Sequence, residues 1–327
     1  MSGKHTGKVL ALAIVAGLPS LAIADGLAPL VEPEVIKPKA DSKLTVRGGY
    51  ATSTEEYPFA FEYTGGGFAT RADDIHEAGY GDGFYGYLAY SNDAMFGRVG
   101  GEISLSHYNL SGDEDVSASA LNSIFDSAGL SRNNGAEQAN TTSDTQISSL
   151  RVLTSGNRGN GTQLLAGLGA LQFSSDVEVN QSRTDFQSDV NRKTDYTGLG
   201  LVAGARKAIP ISNNASLQLE GFAGVYTGDR SVDISDHFDG DTSETYETAS
   251  ITDRQTVFSL DLSASVAVPA NRIAHGGLFE LGLGYTRLFN VTDTTNNNPN
   301  TKPAYSGGSD SDDIDALSLF FGLQIPL

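Results

Sequence analysis

Cysteine is absent from the 327 residues, and so is tryptophan. No disulfide, thiolate metal site or cysteine nucleophile can form, so packing and hydrogen bonds must hold the fold. Basic residues are scarce. Lys and Arg number 21 against 40 Asp and Glu, for a formal net charge of −19. That excludes the basic patches on which nucleic-acid binding depends. Beyond the N-terminus there is no apolar run long enough to cross a bilayer as a helix, and no helical period of useful length. The motifs of catalysis are missing too. There is no G-x-S-x-G and no zinc-binding histidine pair. The glycines of "TGLGLVAG" (197–204) precede no helix and are read as relief of crowding in a wall rather than a nucleotide fingerprint. Neither an enzyme nor a resident cofactor is expected.

The N-terminus has a clear pattern. Lys4 and Lys8 precede an apolar stretch, Val9 to Gly17, and then Ala22-Ile23-Ala24. This is the order of a secretory signal peptide, with cleavage after Ala24. Losing Lys4 and Lys8 leaves the mature chain at −21. Residues 25–42 hold three prolines and no period, and read as a periplasmic leader. Residues 43–327 form the third region.

Ten segments of that region alternate apolar and polar side chains. "TVFSLDLSASVAV" (256–268) shows the pattern best: Phe258, Leu260, Leu262, Ala264, Val266 and Val268 share one face, and Ser259, Asp261, Ser263 and Ser265 the other. The others lie at 43–52, 82–91, 96–109, 145–155, 162–173, 196–207, 217–226, 279–286 and 317–327. The fifth, "TQLLAGLGALQF", is apolar on both faces, which leaves its register open. Segments of about ten residues with dyad alternation are the signature of a membrane barrel. The connections alternate between long (53–81, 110–144, 174–195, 227–253, 290–315) and short (92–95, 156–161, 208–215, 269–277). The net negative charge sits in the long ones, while leader, strands and short turns together are near neutral.

The expected fold is therefore all-β: a single antiparallel transmembrane barrel of about ten strands, eight or twelve being compatible, with long acidic outer loops and short periplasmic turns. The expected place is the bacterial outer membrane, with both termini periplasmic. Lipopolysaccharide and the barrel-insertion machinery are the expected partners. The alternation turns Arg98, Glu102, Arg206, Glu220, Asp261 and Glu280 inward, where they avoid the cost of charge in lipid. Phe222, Tyr226 and Phe320 also point inward. Tyr50, Tyr90, Phe258, Phe279 and Tyr285 are candidates for interfacial girdles.

Two stretches, "DYTGLGLVAGARKAIPISNNASLQLEGFAGVYTGD" (195–229) and "FSLDLSASVAVPANRIAHGGLFELGLGYTRLFNV" (258–291), resemble the Legionella-type major outer membrane protein family. The likeness extends over about the last 130 residues. It implies a pore, so the expected function is a narrow channel for small solutes or ions. The alternative is a non-conducting surface barrel whose acidic loops stabilise the membrane or bind partners. A third reading is an omptin-like rim protease, which the spacings Asp74-x-His76 and Asp113-x-Asp115 suggest. The acidic run 233–244 offers Asp236, Asp239, Asp241 and Glu244 as oxygen ligands for Ca²⁺ or Mg²⁺, though without EF-hand spacing. The mature protein is expected to begin at Asp25. Intact mass of the outer-membrane form checks it, and a mass that retains residues 1–24 contradicts it.

Overall fold

The computed structural model describes residues 42–53, 62–65, 68–71, 81–97, 99–115, 138–158, 161–183, 186–212, 214–240, 243–270, 276–291, 294–295, 306–307 and 313–327. Arg98 falls outside them. The strands in chain order are β1 (Ser42–Thr52), β2 (Glu62–Gly65), β3 (Phe68–Arg71), β4 (Asp82–Phe96), β5 (Val99–Asp115), β6 (Gln138–Arg158) and β7 (Thr162–Arg183). Then come β8 (Phe186–Ser212), β9 (Ala215–Gly240), β10 (Ser243–Pro269), β11 (Leu278–Phe289), β12 (Thr294–Thr295), β13 (Ser306–Gly307) and β14 (Ile314–Pro326). Ten of them close into one antiparallel barrel in the order β1-β14-β11-β10-β9-β8-β7-β6-β5-β4. β2 pairs only with β3, and β12 only with β13.

Closure is made by the two ends of the barrel sequence. β1 lies along β14 from Lys43↔Pro326 to Thr52↔Leu317, and along β4 on its other side. Pro326, which lacks a backbone donor, sits at the last rung, and Leu327 N donates to Ser42 O at 2.9 Å. The wall therefore has no open edge at membrane height, as lipid demands.

The alternation expected from the sequence is the alternation found. On β10 the outward Phe258, Val266 and Val268 are exposed, while Val257, Ser259 and Ser265 are buried. On β8 Leu199 and Leu201 are 73% and 68% exposed, whereas Tyr196 and Val202 are buried. So much exposed apolar surface, continued around every strand of the wall, is suited to hydrocarbon and not to water. The register of β7 is settled by its neighbours. Leu165, Leu171 and Phe173 face inward, and Leu164, Ala166, Leu168 and Ala170 outward.

The apolar belt has two ends. One end carries the turns β4–β5, β6–β7, β8–β9 and β10–β11 and both termini of the barrel, and is here the turn end. The other is the crown end. There the outward face becomes polar at matched heights, with His107, Ser148, Gln172 and Thr197 following Leu105, Leu150, Ala170 and Leu199. His107 Nδ1 and Ser148 Oγ share a 2.9 Å hydrogen bond just above the belt. Exposed Tyr50, Phe84 and Phe258 ring the crown side, and Tyr90, Phe96 and Phe279 the turn side.

Two of the expected long loops are strands. β7 runs to Arg183 and β8 resumes at Phe186, while β9 runs to Gly240 and β10 resumes at Ser243. Residues 174–195 and 227–253 are thus mostly paired wall, rising beyond the belt. Their outward side meets water in place of hydrocarbon, so the outward apolar positions that mark the belt strands are lost, although inward Val177 and Val232 stay buried. Depth sets the cost of charge on the outward face. Ala203→Arg, at mid-belt on β8, is expected to lower unfolding stability in lipid vesicles by about 2–4 kcal/mol, and Thr197→Arg by about 0–1 kcal/mol. Denaturant titration checks both, and equal effects would contradict the belt.

Candidate functional site

The lumen is crossed by side chains. Nearest the turn end, Lys43 Nζ on β1 donates to Gln324 Oε1 on β14 at 3.1 Å, and Gln324 Nε2 to Gln218 Oε1 on β9 at 2.9 Å. One step further in lies an ionic tier. Arg47 Nε donates to Glu280 Oε2 at 2.9 Å, and its Nη2 to Glu220 Oε1 at 2.8 Å. Arg206 Nε meets the same Glu220 oxygen at 2.9 Å, and its Nη1 reaches Glu102 Oε2 at 2.8 Å. Tyr87 Oη adds a bond to Glu102 at 3.3 Å. The five charges come from β1, β5, β8, β9 and β11. The Arg47–Glu220 bond spans four places in the strand order, close to a diameter.

A second tier lies towards the crown. Arg151 Nη2 on β6 donates to Asp261 Oδ2 on β10 at 2.6 Å, Thr286 Oγ1 donates to Asp261 Oδ1 at 2.7 Å, and Tyr108 Oη on β5 bonds Thr286 at 3.0 Å. Aromatic rings join the tiers. The Arg47 guanidinium stands 5.1 Å from the centres of both Tyr87 and Phe320, and that of Arg151 stands 5.0 Å from Phe222. Wall glycines make room for the rings. A Cβ on Gly169 would come within 3.1 Å of Tyr226 Oη, and one on Gly282 within 2.6 Å of Phe320 Cζ. Gly204 is similarly closed off by Phe222.

Beyond the second tier the interior turns apolar. Leu110, Ile147, Phe173, Tyr196, Tyr226, Val257, Leu288 and Ile314 are almost wholly buried in one cluster. Above it Arg230 holds Asp253 through bonds of 3.0 and 2.6 Å. From turn end to crown end, then, the lumen is hydrogen-bonded, ionic, aromatic with a second ion pair, apolar, and topped by the Arg230–Asp253 pair.

Five of the six charges expected inside are brought there, and four of them, Glu102, Arg206, Glu220 and Glu280, meet in one network. Asp261 belongs to the second tier, and Arg98 lies outside the described residues. The sequence reading missed Arg47 and Arg151, the cation at the centre of each tier. Strand parity carried the signal, since Arg47 alternates with outward Val46 and Gly48, and Arg151 with Leu150 and Val152.

The other candidates do not assemble. Asp241 and the side chains of Asp236, Asp239 and Glu244 lie outside what is described. The backbone of Asp236, Asp239 and Glu244 forms strand and not loop, with Glu244 directly across from Asp239. Among the described residues no group of three or more His, Asp or Glu is arranged to hold a metal. Asp74 and His76 are outside the described residues, as is the side chain of Asp115. Asp113 lies on the outward side of β5, exposed and accepting from Asn140 Nδ2 at 2.7 Å. Near it a shallow polar depression of about 510 Å³, lined by Asp144, Asp176, Glu178 and Lys193 among others, opens on the outside of β5–β8.

No protein-family model matches the chain, and no curated protein matches it in sequence. The described fold, a closed ten-strand barrel with an apolar belt, is that of an outer-membrane β-barrel protein. Solved structures similar to it include the outer membrane protease OmpT of Escherichia coli, at 12% identity, 90% of this chain, 99% of that one and a TM-score of 0.44. A major outer membrane protein of Thermus thermophilus is similar at 13% identity, 88% of this chain, 100% of that one and 0.34. The translocator domain of autotransporter NalP from Neisseria meningitidis is similar at 10%, 90%, 91% and 0.38. At such identities the likeness concerns architecture alone. The resemblance of 195–229 and 258–291 is upheld as far as an outer-membrane barrel; its Legionella-type family is not among what these comparisons establish.

Removing one member of a buried ionic network leaves its partners charged and unpaired, which costs about 3–5 kcal/mol. Asp261→Ala takes from Arg151 its carboxylate and is expected to lose that much in denaturant unfolding, against about 0.5 kcal/mol or less for exposed Asp229→Ala. Equal losses would contradict the network.

Proposed function

We propose that the membrane-spanning part of this protein is a filled, non-conducting anchor, and that its working surface is the acidic β-wall which β6 to β10 raise beyond the bilayer. One observation supports the reading above others: charged and aromatic tiers backed by an apolar layer cross the lumen. Ten strands enclose little more than the eight-strand barrel that side chains fill, and an apolar constriction stops ions by excluding water. In this reading the crown end faces the outside, and the short turns and both termini face the periplasm. Insertion machinery delivers the barrel, and cations shared with lipopolysaccharide phosphate screen the outward carboxylates around Asp144 and Asp176. No catalytic set is part of it.

The narrow pore implied by the family resemblance is the second reading. Its support is the ionic tier itself. Buried ion pairs stabilise a core little better than apolar residues of equal volume, so Arg47 and Arg206 point to a wet lumen at some stage. The pore then needs a state in which the Arg47–Glu220 chord is broken and the apolar layer displaced. Recording in planar bilayers separates the two. Folded wild-type protein is expected to give no resolved conductance steps. Regular, reproducible steps would establish the pore and end the filled-anchor reading.

A further inference from the structure

Above the membrane, among the described residues, β10 is paired on one side only. From Ser243 to Val257 its neighbour is β9, and β11 reaches it only from Phe258 onward. Among the described residues no strand covers the other side. This edge, "SETYETASITDRQTV", is about 50 Å long at ~3.3 Å per residue. Its lower limit is built. Asn290, at φ 67°, turns the chain away after β11. Its Nδ2 donates to Thr256 O at 3.2 Å, its backbone carbonyl accepts from Gln255 Nε2 at 3.4 Å, and Asp313 Oδ1 accepts from its backbone N–H at 3.2 Å.

The Thr256 carbonyl thus points to the open side. By strand alternation so do the N–H and C=O groups of Arg254, Thr252, Ser250, Thr248 and Tyr246. Long open edges are normally blunted by proline, lysine, a bulge or short length, because they template pairing with another chain. None of these is present here, although four charged side chains, Glu244, Glu247, Asp253 and Arg254, are. The segment has no Pro, Gly or Lys, and its register with β9 runs without a shift from Ser243 to Ala267. Thr, Ile, Val and Tyr favour strand throughout. Residues 227–253 around it carry a net charge of −7.

We infer that this edge is a docking site for an extended, cationic polypeptide segment of another protein, added to the wall as one more strand. Main-chain hydrogen bonds would supply affinity, and the acidic hairpin would select and steer positive charge. A second copy of this chain fits poorly. Antiparallel pairing of two β10 edges in one sheet requires a two-fold axis perpendicular to that sheet. Such an axis lies in the membrane plane and turns the partner's anchor away from the membrane. Two −7 hairpins would also repel.

The test uses the full mature protein in lipid nanodiscs and a fluorescent synthetic peptide that alternates lysine with valine. Anisotropy is expected to show binding, weakened tenfold or more by Thr252→Pro and kept by Thr252→Val. A proline-interrupted peptide of equal charge is expected to bind at least tenfold less tightly. Hydrogen exchange at Arg254, Thr252 and Ser250 of the wild type should slow when the lysine–valine peptide binds, a reading that stands even where the proline variant loses its hairpin. Unchanged exchange, or equal binding of the proline-interrupted peptide, would overturn the proposal. Self-association abolished by Thr252→Pro would overturn it in favour of a second copy. Neither result depends on whether the lumen conducts, so this proposal and the filled-anchor reading fail separately.

Discussion

Hydrocarbon offers no partner to a peptide group, and the rest of this structure follows from that. Every N–H and C=O at membrane depth has to be paired inside the wall. The chain meets the demand by bringing β1 against β14, so that the first and last strands of the barrel complete each other. Once the wall is closed, side chains can only point into lipid or into the lumen. Alternation is then enforced rung by rung, because a slip of one residue would turn Glu220, Asp261 and Glu280 outward together.

The same closure creates the problem that the arginines solve. A ten-strand lumen must hold whatever the alternation sends there, including carboxylates from β5, β9, β10 and β11. Arg47 and Arg206 draw three of these carboxylates into one network, and Arg151 takes the fourth. Each tier is stacked on rings, and glycines in the wall leave the rings their space. A network of this kind adds little net stability over an apolar filling. It does fix which strands lie opposite one another, since Arg47 on β1 finds both its partners, on β9 and β11, in one register only.

Most of the membrane-spanning architecture was legible in the sequence. All ten strands, the inward set and the ring of outward aromatics can be read from period two alone. What was not legible has physical causes. β7 is apolar on both faces because its inward Leu165, Leu171 and Phe173 pack in the lumen while Leu164 and Leu168 meet lipid, so only its neighbours fix its register. The wall above the bilayer has water on its outward side, and there 174–195 and 227–253 look like loops. Arg47 and Arg151 hold inward positions by the same parity as the acids. A long arginine within a few residues of a strand end can also snorkel to water, so parity alone did not single them out. That the charges cancel across the barrel is a property of strand order around the ring, which no single strand records.

The absence of cysteine makes the central claim directly measurable. Single cysteines placed along β9 sample lipid, lumen and rim on one strand. A water-soluble thiol reagent is expected to label Asp229→Cys rapidly and Phe222→Cys scarcely at all from either side of the membrane, since Phe222 lies between two tiers that cross the lumen. Rapid labelling of Phe222→Cys in folded protein would show open water at the centre of the barrel and contradict the account.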